Sequence, residues 1–156
     1  MKTIENVTLR VEKVNPDNVN DALNLSVKPE QNDVVAPVAH SLAEAYANPD
    51  SAWPRLMYDG DKLVAFVMAG FAPDSPVELF RCGIWRLNVA ADSQGRGYGK
   101  FAVNVLIEEA KRRGFTRVST MWVPGDVGPE KFYLRLGFTL TGEIFHGQVV
   151  GELALD

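Results

Sequence analysis

The chain has little of the chemistry on which disulfide-stapled and metal-dependent proteins rely. It has a single cysteine, Cys82, and two histidines, His40 and His146, among 156 residues. One cysteine cannot form an internal disulfide, which excludes a stapled secreted scaffold. So few and so scattered ligands do not make a zinc site, so we expect no bound metal. Cys82 lies in a strand-like run, where a small core residue is the ordinary role.

Excess positive charge is also missing, as is any long apolar run. The 16 Lys and Arg stand against 20 Asp and Glu, for a net charge of −4 and a pI of about 5.2, which argues against nucleic acid as a partner. No apolar stretch is long enough to span a bilayer, and residues 1–6 lack the basic and then apolar order of a signal peptide. We therefore expect a cytoplasmic protein that binds neither nucleic acid nor membrane.

The remaining composition is that of an ordinary folded domain. Hydrophobic residues make up 46% and charged residues 23%, which with the length favours one domain over residues 1–156. Alternating polarity predicts a strand at 8–14, and strand-like runs predict strands at 55–58, 62–68, 78–89, 117–123, 138–145 and 148–155, with a hairpin turn at Asp59-Gly60. Helical spacing predicts helices at 17–27, 39–47, after the glycine-rich stretch as far as Gly114, and at 130–136. This order indicates a mixed α+β domain around one central sheet.

A glycine-rich stretch lies where a buried strand turns into the strongest predicted helix; it reads Gln94-Gly95-Arg96-Gly97-Tyr98-Gly99-Lys100. The first turn of a helix has N–H groups without internal partners and carries partial positive charge. Glycines let the backbone come close to a ligand and adopt positive φ, and Arg96 and Lys100 add formal charge. Together these features predict a site for a phosphate group.

Two common phosphate-binding motifs do not fit this stretch. A dinucleotide fingerprint places its third glycine three positions after the second, whereas Gly99 follows Gly97 by two. A Walker A loop continues from Lys to Ser or Thr, whereas Phe101 follows Lys100. A turn that only joins strand to helix is the plain alternative. It leaves unexplained why Gly99, which costs helix stability, stands in the opening turn.

Two separate segments resemble the GNAT N-acetyltransferase superfamily. Gln94-Gly95-Arg96-Gly97-Tyr98-Gly99 matches its Q/R-x-x-G-x-G/A signature, and Phe132-Tyr133-Leu134-Arg135-Leu136-Gly137-Phe138 is similar to its downstream Y-x-x-x-G-F motif. The two lie in the family's order and at its usual separation. The resemblance covers essentially the whole chain and implies a single N-acetyltransferase domain. Its mixed, mostly antiparallel sheet would splay at the middle strands, flanked by about four helices, with acetyl-CoA as acyl donor in the opening.

The same resemblance implies roles for particular residues. The strand through Leu87, Asn88 and Val89 would bind the pantetheine arm of the cofactor. The glycine-rich stretch would hold the pyrophosphate through Gln94, Gly95, Arg96, Gly97, Tyr98, Gly99 and Lys100. Tyr133 would protonate the leaving thiolate. The family's usual Asn after the strand at 117–123 is absent here, so Asp126 or main-chain atoms would take over that contact.

The base that accepts the amine proton stays open at this stage. The candidates by position are four carboxylates, Glu44, Glu78, Glu130 and Glu152, each of a kind that is commonly only a solvated surface group. No Gly-x-Ser-x-Gly elbow occurs in the sequence. His146 beside Gly147 most simply occupies a hairpin turn.

The acceptor side looks like bacterial diamine or polyamine acetyltransferases of the spermine/spermidine type, in segments 29–31, 35–37 and 41–46 and at Thr141-Gly142-Glu143. This resemblance implies direct transfer through a ternary complex to a primary amine of a small cationic acceptor. The substrate contacts it implies are Gln31, Glu44, Tyr46, Glu78 and Trp85. The alternatives are another amine (an amino acid, an antibiotic, a protein N-terminus or lysine) and a non-catalytic acyl-CoA sensor. Exposed sheet edges are compatible with a homodimer.

Overall fold

The computed structural model describes residues 8–156 of the chain. Seven strands form one sheet: β1 (Leu9–Glu12), β2 (Ala52–Asp59), β3 (Lys62–Phe71), β4 (Cys82–Val89), β5 (Arg117–Trp122), β6 (Thr139–Phe145) and β7 (Gln148–Ala154). The α-helices are α1 (Val19–Asn24), α2 (Val38–Ala47), α3 (Tyr98–Arg112) and α4 (Glu130–Arg135). The predicted α+β class is confirmed. Residues 1–6, in which we find no signal-peptide pattern, lie outside the described part.

The sheet is divided near its middle. Its strands follow the order β1-β2-β3-β4-β5-β7-β6, with antiparallel neighbours except at β4 and β5, which are parallel and joined through α3. These two strands pair at one position, Gly83 opposite Ser119. A Cβ atom on Gly83 would lie 2.8 Å from the Ser119 carbonyl oxygen, so only glycine allows this approach. Beyond the pair the strands separate, which confirms the predicted splay of the middle strands.

Helices cover the two faces of the sheet and form two cores. β2 and β3 are buried on both faces, which explains their nearly continuous apolar sequence. On one face Leu56 and Phe66 pack with α1 and α2. On the other, Met57 and Val67 pack against α3, because successive strand residues point to opposite faces. The stripe of α3 that meets them is fully buried at Ala102, Val103, Leu106 and Ala110.

The strand predicted at 78–89 is wrong over its first part. β4 begins at Cys82, and Glu78–Phe80 forms a 3₁₀ turn instead. The preceding loop folds back on itself, because the Val77 N–H donates to Ser75 Oγ and Arg81 Nε donates to the Ser75 carbonyl oxygen. Phe80 then packs edge-on against Phe145 of β6. The two apolar residues of this segment, Leu79 and Phe80, suit a turn packed on the protein as well as a strand.

The first predicted helix is also too long, since 17–27 shortens to Val19–Asn24. Leu25 already has extended backbone angles. The Ser26 carbonyl oxygen then accepts a hydrogen bond from Ala91 N–H, which holds this segment beside the end of β4. Between α1 and α2, Pro29–Gln31 forms a 3₁₀ turn.

Candidate active site

The C-terminal half of β4 has a strand partner on one side only. It pairs with β3, while its ladder with β5 ends at Gly83. A bulge interrupts the β3–β4 register, where Met68 pairs with Arg86 and Ala69 pairs with Ile84, so Trp85 is the extra residue. Bulges bend a strand and redirect its side chains. The result is an opening between β4 and β5 with unpaired main-chain groups of β4 along one wall.

The glycine loop follows the end of β4 and opens α3. Gly95 and Gly97 have φ of +78° and +86°, a left-handed conformation that favours glycine. A Cβ atom at either position would meet nothing within 4 Å, so this side of the loop is open. No side chain caps α3, and Arg96 and Lys100 are exposed beside it. Uncapped N–H groups, an open face and two cations are the features of an anion site.

Gly99 has a packing role. A Cβ atom there would lie 3.1 Å from the Phe132 ring and 3.5 Å from Val89. The start of α3 therefore contacts both α4 and β4 through a residue without a side chain. This contact supplies the reason for a glycine in the opening turn of the helix.

Gln94 and Tyr98 attach the loop to the rest of the fold. Gln94 Nε2 donates to the Val89 carbonyl oxygen at 3.0 Å and to Gln31 Oε1 at 2.7 Å, and Gln31 donates back to Gln94 Oε1. The Tyr98 hydroxyl donates to Asp59 in the β2–β3 hairpin. That hydrogen bond is the main cause that raises the pKa of Tyr98. Gln31, which was predicted as a substrate contact, thus stabilises the glycine loop through these hydrogen bonds with Gln94.

Asn88 connects the middle of the sheet to the segment before α2. It is buried, and its side-chain amide donates to the Ala36 carbonyl oxygen at 2.9 Å. Its Oδ1 has no hydrogen-bond partner among the described residues. Leu87 and Val89 on either side are half-buried. The three predicted pantetheine contacts therefore lie together on the free edge of β4.

Tyr133 lies in a buried aromatic cluster. Its ring stacks on Trp122, with centroids 5.3 Å apart, and meets Phe138 edge-on. Burial raises the pKa of its hydroxyl to about 12, and the Thr120 side chain opposes this with a smaller effect. Thr120 in turn donates to the Ile84 carbonyl oxygen, 3.4 Å away across the split. Tyr133 is therefore a protonated phenol next to a residue that bridges β4 and β5.

A cavity of about 590 Å³ occupies the narrow end of the split. The end of β3, the first half of β4, the middle of β5 and the β6–β7 turn line it. Trp85 and Arg86 contribute from β4, Ser119 and Thr120 from β5, and His146 from the turn. His146 has a left-handed backbone, φ +50°, and packs edge-on against Phe145. The predicted hairpin turn is confirmed there, but no local pattern indicates that His146 and Arg86 face a cavity.

The predicted acidic substrate contacts are each engaged by an arginine. Glu44 Oε1 accepts from Arg86 Nη2 at 2.9 Å. Glu78 pairs with Arg117, which also binds Glu152 at 3.1 Å. None of these three carboxylates lines the cavity. Of the other predicted residues, Trp85 lines it, Tyr46 is 89% exposed on α2, and Asp126 is exposed on the loop before α4. Among the base candidates, Glu130 accepts a hydrogen bond from Trp122 at 3.2 Å.

None of the described helices is both long and apolar enough to cross a membrane.

Comparison with known proteins identifies the family. The model of the acetyltransferase (GNAT) family matches residues 21–138. An L-2,4-diaminobutyric acid acetyltransferase of Shouchella clausii is 32% identical over 78 residues, which are 50% of this chain and 42% of that protein. The match thus spans less than half of that curated relative.

Solved structures have the same fold at low identity. An acetyltransferase from Thermus thermophilus superimposes with a TM-score of 0.70 at 19% identity, covering 96% of this chain and 98% of the other. YncA from Salmonella typhimurium, described as a putative acetyltransferase with its cofactor acetyl-CoA, gives a TM-score of 0.64 at 17% identity, with coverage of 96% and 95%. With its family model matched over most of its length, the chain belongs to the acetyltransferase (GNAT) family.

Proposed function

We propose that this chain is an acetyl-CoA-dependent N-acetyltransferase that acetylates a primary amine of a small acceptor. The observation that carries the proposal is the split between β4 and β5. The open glycine loop follows one end of β4, and the cavity lies at the other end. An elongated donor with an anionic end could therefore lie along β4 and present its acyl group to an amine in the cavity.

The residues present fit such a donor. The uncapped start of α3 with Arg96 and Lys100 suits a pyrophosphate. The free edge of β4 at Leu87 and Val89 suits a ligand with amide groups. Asp126, exposed after β5, stays the predicted replacement for the family's usual Asn. The solved Salmonella relative is described with acetyl-CoA as its cofactor, which supports the same donor here.

In the proposed reaction the amine nitrogen attacks the thioester carbonyl carbon. The new bond is N–C and the bond that breaks is C–S, so the amine loses a proton and the departing thiolate gains one. Unpaired β4 N–H groups can polarise the carbonyl oxygen, as an oxyanion site does. Tyr133 is the proposed proton donor to sulfur, because a phenol is protonated near neutral pH and can donate to a thiolate held within reach.

His146 is the group in the cavity best suited to receive the amine proton. The four carboxylates first considered all have partners: Glu44 has Arg86, Glu78 and Glu152 share Arg117, and Glu130 has Trp122. His146 lines the cavity and has no ion-pair partner among the described residues. Histidine is also the side chain most often used in this role.

The acceptor itself is proposed only as a small primary amine. The polyamine resemblance and the name of the Shouchella relative, which acts on diaminobutyric acid, both support an acceptor with more than one amine. Polyamine specificity, cytoplasmic location and a homodimer stay predictions. A panel of polyamines, amino acids, aminoglycosides and peptides, assayed for release of the CoA thiol, tests the class.

Tyr133→Phe tests whether the site is catalytic. Phenylalanine keeps the ring that stacks on Trp122, so the fold and CoA affinity should be retained. The kcat should fall by about a hundredfold, the usual contribution of a positioned acid. Unchanged kcat would remove Tyr133 from that role. Tight acetyl-CoA binding with no thiol release from any amine would favour the sensor alternative over the enzyme.

A further inference from the structure

Arg86 adds a positively charged side chain to the lining of the cavity at the split. It follows the bulge residue Trp85 on β4, and both line the cavity. No Asp or Glu lines this cavity within residues 8–156. Glu44 and Glu78, the acids that a polyamine site would need, are each held by an arginine. Among the described residues, the lining of the cavity thus includes an arginine and no carboxylate side chain.

The Arg86 guanidinium is held in place with donors to spare. Nη1 donates to the Trp85 carbonyl oxygen at 3.0 Å, and Nη2 donates to Glu44 Oε1 at 2.9 Å. A guanidinium has five N–H donors in a rigid fork that matches a carboxylate. Nη1 and Nη2 each keep a second N–H, and the side chain remains 23% exposed. Nε is buried and has no partner in the described part of the chain. Arg86 lines the cavity and Glu44 does not, so the arginine is the member of the ion pair that borders the cavity.

The rest of the cavity suits a short aliphatic molecule with polar ends. Leu79, Ile84 and Met121 supply apolar surface from three different segments. Ser119 and Thr120 line it on the β5 side, where the split begins. A volume of about 590 Å³ is ample for such a ligand.

We propose that the acceptor carries a carboxylate as well as its amine, as an amino acid does, and that Arg86 binds this carboxylate. The inference rests on the proposed acetyl transfer and names the acceptor class of that same site. Glu44 is a positioning residue, because it orients Arg86 from outside the cavity. A charge-assisted bond of this kind should favour the carboxylated acceptor by about tenfold or more in kcat/KM.

Pairs of acceptors that differ only by a carboxylate test the proposal: ornithine with putrescine, lysine with cadaverine, and 2,4-diaminobutyrate with 1,3-diaminopropane. The full chain is assayed for thiol release with each compound, and calorimetry measures binding of each to the CoA-bound protein. The carboxylated member should have the higher kcat/KM and the tighter binding. Equal or better performance by the diamines in both measurements overturns the proposal.

Arg86→Gln should raise the KM of the carboxylated acceptors at least tenfold and should not raise the KM of the diamines. Glu44→Gln should raise the same KM less, with kcat retained. The double variant Arg86→Glu with Glu44→Arg keeps an ion pair at this position with the charges exchanged. It should prefer diamines over the carboxylated acceptors. This variant still tests the proposal if a single variant is unstable. An equal effect of Arg86→Gln on both members of a pair overturns the proposal. Thiol release from no acceptor would refute the enzyme function instead, and the binding data would still decide for or against Arg86.

Discussion

Gly97→Asp is the sharpest test of the loop that opens α3. Gly97 has φ +86° and free space on the side where a side chain would project, since a Cβ atom would meet nothing within 4 Å. The added carboxylate would stand beside the N–H groups assigned to the pyrophosphate. Two unit charges about 6 Å apart repel by about 3 kcal/mol at an effective dielectric constant of about 20. Solvent screening at this exposed site removes roughly half of that, which leaves about a tenfold loss of CoA affinity.

The chain offers a matched control at the opposite end of the same helix. Gly114 has φ +87° and equally free space, so Gly114→Asp carries the same backbone strain of about 1–2 kcal/mol. Gly97→Asn adds the bulk of the side chain without its charge. Calorimetry with CoA should give a large loss for Gly97→Asp, a smaller one for Gly97→Asn and none for Gly114→Asp. Wild-type affinity in a folded Gly97→Asp protein would refute the assignment of the pyrophosphate to this loop.

Three further predictions concern the split, the turn and the buried protons. Gly83→Ala puts a methyl group 2.8 Å from the Ser119 carbonyl oxygen and should cost about 1–3 kcal/mol of stability in denaturant unfolding. Gly70→Ala is the control, because its added methyl group would lie 3.6 Å from its nearest neighbour. Equal stability of the two variants would contradict the close approach of β4 and β5. His146→Asn keeps a residue type that tolerates the left-handed turn and should lower kcat about a hundredfold without changing the melting temperature; a kcat within about twofold of wild type excludes His146 as the base. Burial raises the pKa of Cys82 from 9.0 and the pKa of Tyr133 from 10.0, each to about 12. As pH rises, the unfolded state therefore loses these protons before the folded state does. The free energy of unfolding should then fall between about pH 9 and pH 12. The fall should be shallower in Cys82→Ala, and a pH-independent difference between the two proteins would count against a buried neutral thiol.

The parts of the fold that follow from local pattern were predictable. The turn residues Asp59-Gly60 indicate the β2–β3 hairpin and helical spacing of apolar residues indicates α3, and both elements occur where expected. The strand prediction failed at Glu78–Phe80 because apolar residues there fit a strand as well as a turn packed against Phe145. The early end of α1 depends on a hydrogen bond between Ser26 and Ala91, residues far apart in sequence.

The candidate site likewise has one part that follows from local sequence and one part that depends on the tertiary structure. The glycine loop is contiguous in sequence, so its left-handed glycines and its position at a helix start could be predicted directly. The cavity combines β3, β4, β5 and the β6–β7 turn, and no local pattern marks Arg86 or His146 as neighbours. Glu44 was singled out for its charge, but its partner depends on how α2 packs against β4.

The single residue pair between β4 and β5 also has a mechanical consequence. A sheet resists separation through its ladder of hydrogen bonds, and here the ladder between the two groups of strands is reduced to the contact of Gly83 with Ser119. Local unfolding should begin where the fewest bonds must break. We therefore expect native-state hydrogen exchange to divide the protein into two cooperative units, with the amides of β2 and β3 exchanging last and those of β5, β6 and β7 exchanging together and earlier. The split between β4 and β5, which is the proposed ligand site, would then also determine the order in which parts of the domain unfold.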